Sequence, residues 1–270
     1  MTVINTNVSA LRAQNGTRMA NEQLQTAMMR LSSGKRINSA QDDAAGLAIA
    51  SSMTSQIRGM GQAIRNSNDA ISMAQTADGA LTEVTSMLQR VRELAVQASS
   101  GTYSSSDKTN LQAEVTQLAA QITSITSNTK FNGIALFSGA AGSSGSVTIQ
   151  TGSSAADTVS VDFTQLDLSA ISSVDLTTGA SAAIASVDTL IGTVATKQAK
   201  FGAAESRLNS VVNNLTSNVT NLTDARSRIE DADFGSETTN LAKAQILAQA
   251  STAMLAQANQ SSQYVLSLLK

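Results

Sequence analysis

Residues 184–222 read IASVDTLIGTVATKQAKFGAAESRLNSVVNNLTSNVTNL, and a single seam runs their length. Its members are Ile184, Val187, Ile191, Val194, Gln198, Phe201, Glu205, Leu208, Val212, Leu215, Val219 and Leu222. The steps alternate three and four, which lines side chains along one side of an α-helix. The register holds for about five heptads, interrupted only by the polar Gln198 and Glu205. A second seam runs Ile57, Met60, Ile64, Ser67, Ile71 and Ala74, slips at Ala77, and continues through Leu81, Val84, Leu88, Val91, Ala95 and Ala98. The slip is one stammer, where a coiled coil overwinds locally. A third is short: Leu111, Val115, Leu118, Ile122, Ile125. At about 1.5 Å per residue the two longer helices would reach roughly 60 to 70 Å. Globular helices average about 11–12 residues, so these are rods.

The ends of the chain carry the same spacing with smaller side chains. Ala20, Leu24, Ala27 and Leu31 form a seam near the start, with Ile4, Val8 and Leu11 before it in a shifted phase. At the finish, Ala244, Leu247, Ser251, Met254, Ala258, Ser261, Val265 and Leu268 continue almost to Lys270. Chain termini are usually polar and frayed, whereas this one closes on apolar residues that need cover. Seams of Ala and Ser bury little area per turn and are weak without close neighbours. The two ends are therefore expected to pair with each other and with further copies of the chain.

Between the rods, residues 138–182 break the pattern. Ser138 to Gly145 is a Gly/Ser-rich loop. Val147 and Ile149, then Val159, Val161 and Phe163, alternate as strands across the turn residues 151–157, predicting one β-hairpin. A lone hairpin is marginal in water, so its apolar face should lie on the helices.

Composition excludes much chemistry. The 270 residues include no Cys, His, Trp or Pro, with 41% hydrophobic, 14% charged and 3% aromatic residues. Without thiol or imidazole there is no Cys nucleophile, no Ser-His-Asp triad and no ordinary zinc site. The formal charge of −2 supplies no basic field for nucleic acid. No segment reaches the roughly 18 uninterrupted apolar residues of a membrane span, and the first residues lack a basic-then-apolar Sec signal. No enzyme, cofactor or metal is expected.

Candidate sites read mostly as structure. Asp42 and Asp43 sit adjacent on a helix and diverge by about 100°, so they suit a first turn capped by Ser39 better than a shared metal. Gly34 with Lys35 and Arg36 reads as a helix end, and Ser104 to Asp107 as a cap before Leu111. Asn214, Asn218 and Asn221 are polar helix positions. Arg90, Arg92 and Glu93 lace the second seam with charge. Arg226, Arg228, Glu230, Asp231 and Asp233 form a mixed cluster, read as an inter-subunit ion-pair hinge against the alternative of a solvated helix face.

Several of these segments together resemble the bacterial flagellins. They are Leu31 to Ala40 with Asp42 to Gly46, Gln89 to Gln97, Lys130 to Gly133, Ala225 to Asp231, Leu255 to Gln260 and Val265 to Leu269, all in the family's order. The resemblance covers about 2–164 and 184–270. It implies a mainly α, rod-shaped helical bundle with one β-hairpin, whose terminal helices pair as a coiled coil. The expected divisions are 1–36 and 231–270 as inner-layer coiled-coil helices and 37–137 and 183–230 as bundle. Residues 138–182 would be loop, hairpin and the short remnant of an outer region that longer members expand.

The implied function is the structural subunit of the flagellar filament, polymerising through its ends, secreted by the flagellar type III route and extracellular. The alternatives are a hook–filament junction protein, which shares the terminal helices, and a cytoplasmic coiled-coil signalling rod. The mid-chain hairpin argues against the rod. The expected polymerisation seams contain Leu24, Leu31, Leu247, Met254, Leu255, Val265 and Leu268. By resemblance, further partners are an export chaperone on the C-terminal helix, the filament cap and hook-junction proteins. Recognition by Toll-like receptor 5 is implied through Arg90, Leu94 and Glu114.

Overall fold

The computed structural model describes residues 6–267, with side chains for 6–261. In chain order the elements are α1 (Val8–Ser33), α2 (Ala44–Ser99), α3 (Ser105–Asn128), β1 (Lys130–Phe131), β2 (Ile134–Ala135), β3 (Ser146–Gln150), β4 (Thr158–Asp162), a 3-10 turn (Ser169–Ser173), α4 (Ala180–Glu230) and α5 (Phe234–Ser267). The chain forms two compact units. The terminal unit comprises 1–55 and 221–270, and the central unit comprises 56–220.

In the terminal unit, α1 starts where the Asn7 side chain accepts the Ala10 N–H at 3.0 Å. It stops at Gly34, whose φ of 70° turns the chain out of the helix while its N–H still bonds the Arg30 carbonyl. α5 lies antiparallel beside it. Asn7 Nδ2 donates to the Ala258 carbonyl at 3.1 Å, and Arg30 stands 3.8 Å from Glu237. The α1 face turned inward is Ala10, Ala13, Thr17, Ala20, Leu24, Ala27 and Leu31; on α5 it is Glu237, Leu241, Ala244, Ala248, Ser251, Leu255 and Ala258. Both keep strict 3-4 spacing. Fully buried positions here are nearly all alanine: Ala13, Ala20 and Ala27 on α1, Ala244 and Ala258 on α5. At Gly16 an added Cβ would stand 3.3 Å from Ser251 Oγ, so a side chain there would press on Ser251.

The α1 seam therefore differs from its expected start. Val8 and Leu11 are 44% and 58% exposed, because the pairing continues back through small residues rather than large ones. On α5, Ala244, Ser251 and Ala258 face α1 as expected, but Leu247 and Met254 do not. Val265 lies in α5 without a described side chain, and Ile4 and Leu268 fall outside the described residues.

The chain's second joint lies beyond Gly34. Arg36 N–H donates to the Glu230 carbonyl at 2.7 Å and Ala232 N–H to the Gly34 carbonyl at 3.0 Å, fastening the end of α4 to the end of α1. Ser39 does not cap α2. Asp42 accepts from the Asn38 and Ser39 N–H groups and holds a turn, and Asp43 Oδ1 caps by accepting the Gly46 N–H at 2.8 Å. Those bonds, the Ser39 N–H first, hold the Asp42 carboxyl below its ordinary range.

The central unit has a conventional apolar core. Leu81, Val84, Leu88, Val91 and Leu94 of α2 meet Val115 and Ile122 of α3 and Val187, Val194, Phe201 and Leu208 of α4. Ala74 and Ala77 are both fully buried, where the seam slips. α3 opens on a reciprocal capping box between Ser104 and Asp107. The expected hairpin is β3–β4, pairing Ser146 with Asp162 and Gln150 with Thr158. Val159 and Val161 point into the core, and Phe163 beside them meets the Phe201 ring at 5.2 Å.

One hairpin was expected and two small antiparallel sheets are present. β1 and β2 join through Asn132 and Gly133, both at positive φ (47° and 81°). That is the backbone a two-residue turn needs to match strand twist. The stretch 163–179 packs Leu166, Leu168, Ile171, Val174 and Leu176 into the core. Gln112 of α3 clamps it, donating to the Val174 carbonyl and accepting the Leu176 N–H at 2.7 Å.

Candidate functional site

The large apolar side chains left in solvent are concentrated in the terminal unit. Among the described residues they are Val8, Leu11, Met19, Met28 and Met29 of α1, Ile49 of α2, and Phe234, Ile246, Leu247 and Met254 of α5. Only Val96 and Ile134 join them from the central unit. Met254 is 64% exposed and Leu247 40%. Leu24, Leu31 and Leu255 are half-buried between α1 and α5. Of the expected seam residues with described side chains, three thus join the helix pair and two point outward. An exposed Leu is unremarkable singly, whereas here ten of the twelve large apolar side chains exposed among the described residues belong to the terminal unit.

The seam between the helices contributes little burial itself. Burying a methyl group yields about 0.8 kcal/mol, against about 1.5–3 for a whole Leu or Phe side chain, and five of the buried seam positions are alanines. The polar contacts are also thin. Glu237 is 7% exposed beside Arg30 at 3.8 Å, and Arg30 Nε is buried with no hydrogen-bond partner among the described residues.

Several side chains of the charged cluster have partners within the chain. Lys35 pairs with Glu230, Ser227 donates to Asp231 at 2.6 Å, and Arg226 reaches Thr54 Oγ1 at 3.4 Å. Arg36 donates to the Ile229 carbonyl at 2.7 Å. Arg228 is exposed. The cluster braces the joint where α1, α2, α4 and α5 meet.

On the central unit, Arg90 and Glu114 come together across α2 and α3. Arg90 Nε donates to Glu114 Oε1 at 2.9 Å, and its Nη1 to Glu93 at 3.2 Å. The hydrogen bond it donates to Glu114, then that to Glu93, holds the Arg90 guanidinium above its ordinary value. Both arms are solvent-facing, at 50% and 44% side-chain exposure. Leu94 is 1% exposed, so it supports this surface from beneath and does not present itself there. Arg92 pairs separately with Asp188 of α4 at 2.6 Å.

The hairpin is locked by a cation that sequence reasoning passed over. Lys197, 8% exposed on α4, donates to Asp162 and Thr164, and Lys200 donates to Asp162 at 2.8 Å. Desolvation pushes the Asp162 carboxyl up, but bonds from Lys200, Thr164 and Lys197 outweigh it and hold it well below the usual range. Its signal was the polar residue one place before Gln198 in the best apolar seam. Among the described residues no group of three or more acidic side chains could hold a metal, and no helix is long and apolar enough to cross a membrane.

Residues 4–142 match the family model of the bacterial flagellin N-terminal helical region, and 184–269 that of the bacterial flagellin C-terminal helical region. The chain is similar to the flagellin of Halalkalibacterium halodurans, with 44% identity covering 99% of this chain and 100% of the relative. It is 40% identical to the flagellin of Bacillus subtilis, over 99% of each. Among solved structures it is similar to the crystal structure of Bacillus cereus flagellin, at 32% identity and a TM-score of 0.51, covering 60% of this chain and 94% of that one.

Proposed function

The chain belongs to the bacterial flagellins and is a structural subunit of the flagellar filament; on that premise we propose that its α1–α5 pair is where subunit joins subunit. The observation carrying this is the exposure of Leu11, Met19, Met28, Met29, Leu247 and Met254 on helices whose own buried apolar positions are alanine. Neighbouring subunits bury Leu247 and Met254, and the 3-4 spacing of the sequence assigns Val265 and Leu268 to the same seam. Leu24, Leu31 and Leu255 flank the alanine seam of the pair, half-buried. The mechanism is mechanical and needs no catalytic group, metal or cofactor. Each subunit's incomplete cover is completed by its neighbours, so ordering of the ends and assembly are coupled. Arg226, Arg228, Glu230 and Asp231 act at the base of this surface, with Arg228 positioned to reach a neighbour.

Met254→Asp tests the reading cleanly, because Met254 does not face α1. A carboxylate at a surface that is dry after assembly costs several kcal/mol. Seeded polymerisation, followed by sedimentation and electron microscopy, is expected to stop while the circular dichroism of the monomer is retained. Normal filaments from this variant would overturn the reading.

The remaining partners follow from the family. The chain leaves the cell by flagellar type III export, its C-terminal helix held by an export chaperone, and meets the filament cap and hook-junction proteins during assembly outside the cell. The exposed Arg90–Glu114 pair over buried Leu94 supports recognition of the monomer by Toll-like receptor 5. Arg90→Ala is expected to weaken receptor binding by about tenfold or more, and unchanged binding would remove that partner.

A further inference from the structure

With no Cys and no Trp, the thioethers are the side chains of this chain most open to two-electron oxidation. The nine methionines are divided sharply by their surroundings. In the central unit, Met60 and Met73 are 7% and 4% exposed, and Met87 is half-buried against the core. On α1 and α5, Met19, Met28, Met29 and Met254 are 57%, 57%, 54% and 64% exposed. Met53 is half-buried, and Met1 lies outside the described residues.

We infer that Met19, Met28, Met29 and Met254 form a set of oxidation sites on the unassembled subunit, accepting oxygen from peroxides, and that their sulfoxides block polymerisation. The second half rests on the assembly surface proposed above. In the reaction the sulfur lone pair attacks one peroxide oxygen, the O–O bond breaks and an S–O bond forms. The departing hydroxide takes the proton released and leaves as water. Sulfur gives up two electrons and the peroxide gains them. The product is polar and chiral, and methionine sulfoxide reductases return it to the thioether. A sulfoxide buried against an apolar neighbour places a strong acceptor where no donor waits. Assembly hides the same sulfurs, so oxidation acts on subunits and spares the polymer.

The test treats purified full-length monomer with hydrogen peroxide and follows each methionine by peptide mass spectrometry. The four exposed residues are expected to oxidise at least about fivefold faster than Met60 and Met73, in proportion to their access. Equal rates across both groups would overturn the site assignment. Oxidised monomer is expected to lose seeded polymerisation, and reductase treatment to restore it. The quadruple Leu variant at these positions is expected to polymerise with or without peroxide. Loss of assembly in that variant only after peroxide would show that other groups carry the block and overturn the inference. Unimpaired assembly of oxidised wild type, alongside a blocked Met254→Asp, would sink the oxidation switch alone. Unimpaired assembly of both would sink the shared surface as well.

Discussion

The two units of this chain use different materials for the same task. In the central unit α2, α3, α4 and the hairpin enclose Leu88, Ile122, Phe163, Phe201 and Leu208, each at most 1% exposed. In the terminal unit the buried apolar residues described are Ala13, Ala20, Ala27, Ile37, Ala50, Ala244 and Ala258, with Ile37 the one large side chain. Many of its large residues face solvent instead, among them Leu11, Met19, Met28, Met29 and Met254. The central unit is thus stabilised from within, and the terminal unit by what is set against it. On the proposed assembly surface this division has a use: a finished core keeps the subunit in shape while the interface depends on neighbours.

The largest effect that could break this contrast is Phe201→Ala. Removing a ring that stacks on Phe163 in a closed core costs about 3–5 kcal/mol. Denaturant unfolding of the monomer should register it in full, and a loss under 1 kcal/mol, by the about 1 kcal/mol scale of an average substitution, would mean the core is not self-supporting.

Ala20→Leu sharpens the other side. A larger residue in a seam spaced for alanine forces the backbones apart, at about 1–3 kcal/mol. The main unfolding transition should stay in place while hydrogen exchange of Ala13–Ala27 amides accelerates and seeded assembly slows. A matching drop in the main transition would merge the two units into one cooperative body.

The smallest effect concerns the hairpin. The Asp162 carboxyl sits below its ordinary 3.8, so its contribution is complete above that value and is lost as pH falls toward the lower folded value. With its side chain 35% exposed, solvent screening leaves about 1 kcal/mol. Wild-type stability should decline below about pH 4, the unfolded carboxylate range, and Asp162→Asn should remove that part of the decline. Identical acid curves would show that the lysines do not hold the hairpin.

What could be read from the sequence followed side-chain size. The α4 and α2 seams announced themselves through Val187, Phe201, Leu81 and Leu88, because large apolar residues recurring at helical spacing mark the buried face of a helix. On the terminal helices the same rule misled. Leu247, Met254, Val8 and Leu11 drew attention by size, whereas the faces in contact also carry Ala10, Ala13, Thr17 and Ala248, which stand out by no apolar bulk. The Asn132-Gly133 turn was readable from its dipeptide but was noticed only as part of a family motif. Leu166, Leu168, Ile171, Val174 and Leu176 keep neither strand nor helix period, so their burial depends on Gln112 and the 3-10 turn. The charge cluster carried no sign of its intrachain partners, since Lys35 and Glu230 are joined only by tertiary structure.

The joint at Gly34 and Ala232 makes the terminal helix pair a zipper with one fixed end. Covalent chain and backbone bonds hold α1 and α5 together at that fork, so each further seam position closes without a new search through space. At the far end the tie is a side-chain one, from the Asn7 amide to the Ala258 carbonyl. On the proposed assembly surface, a growing polymer that grips the far end would draw the zipper shut, with the core of the central unit already whole.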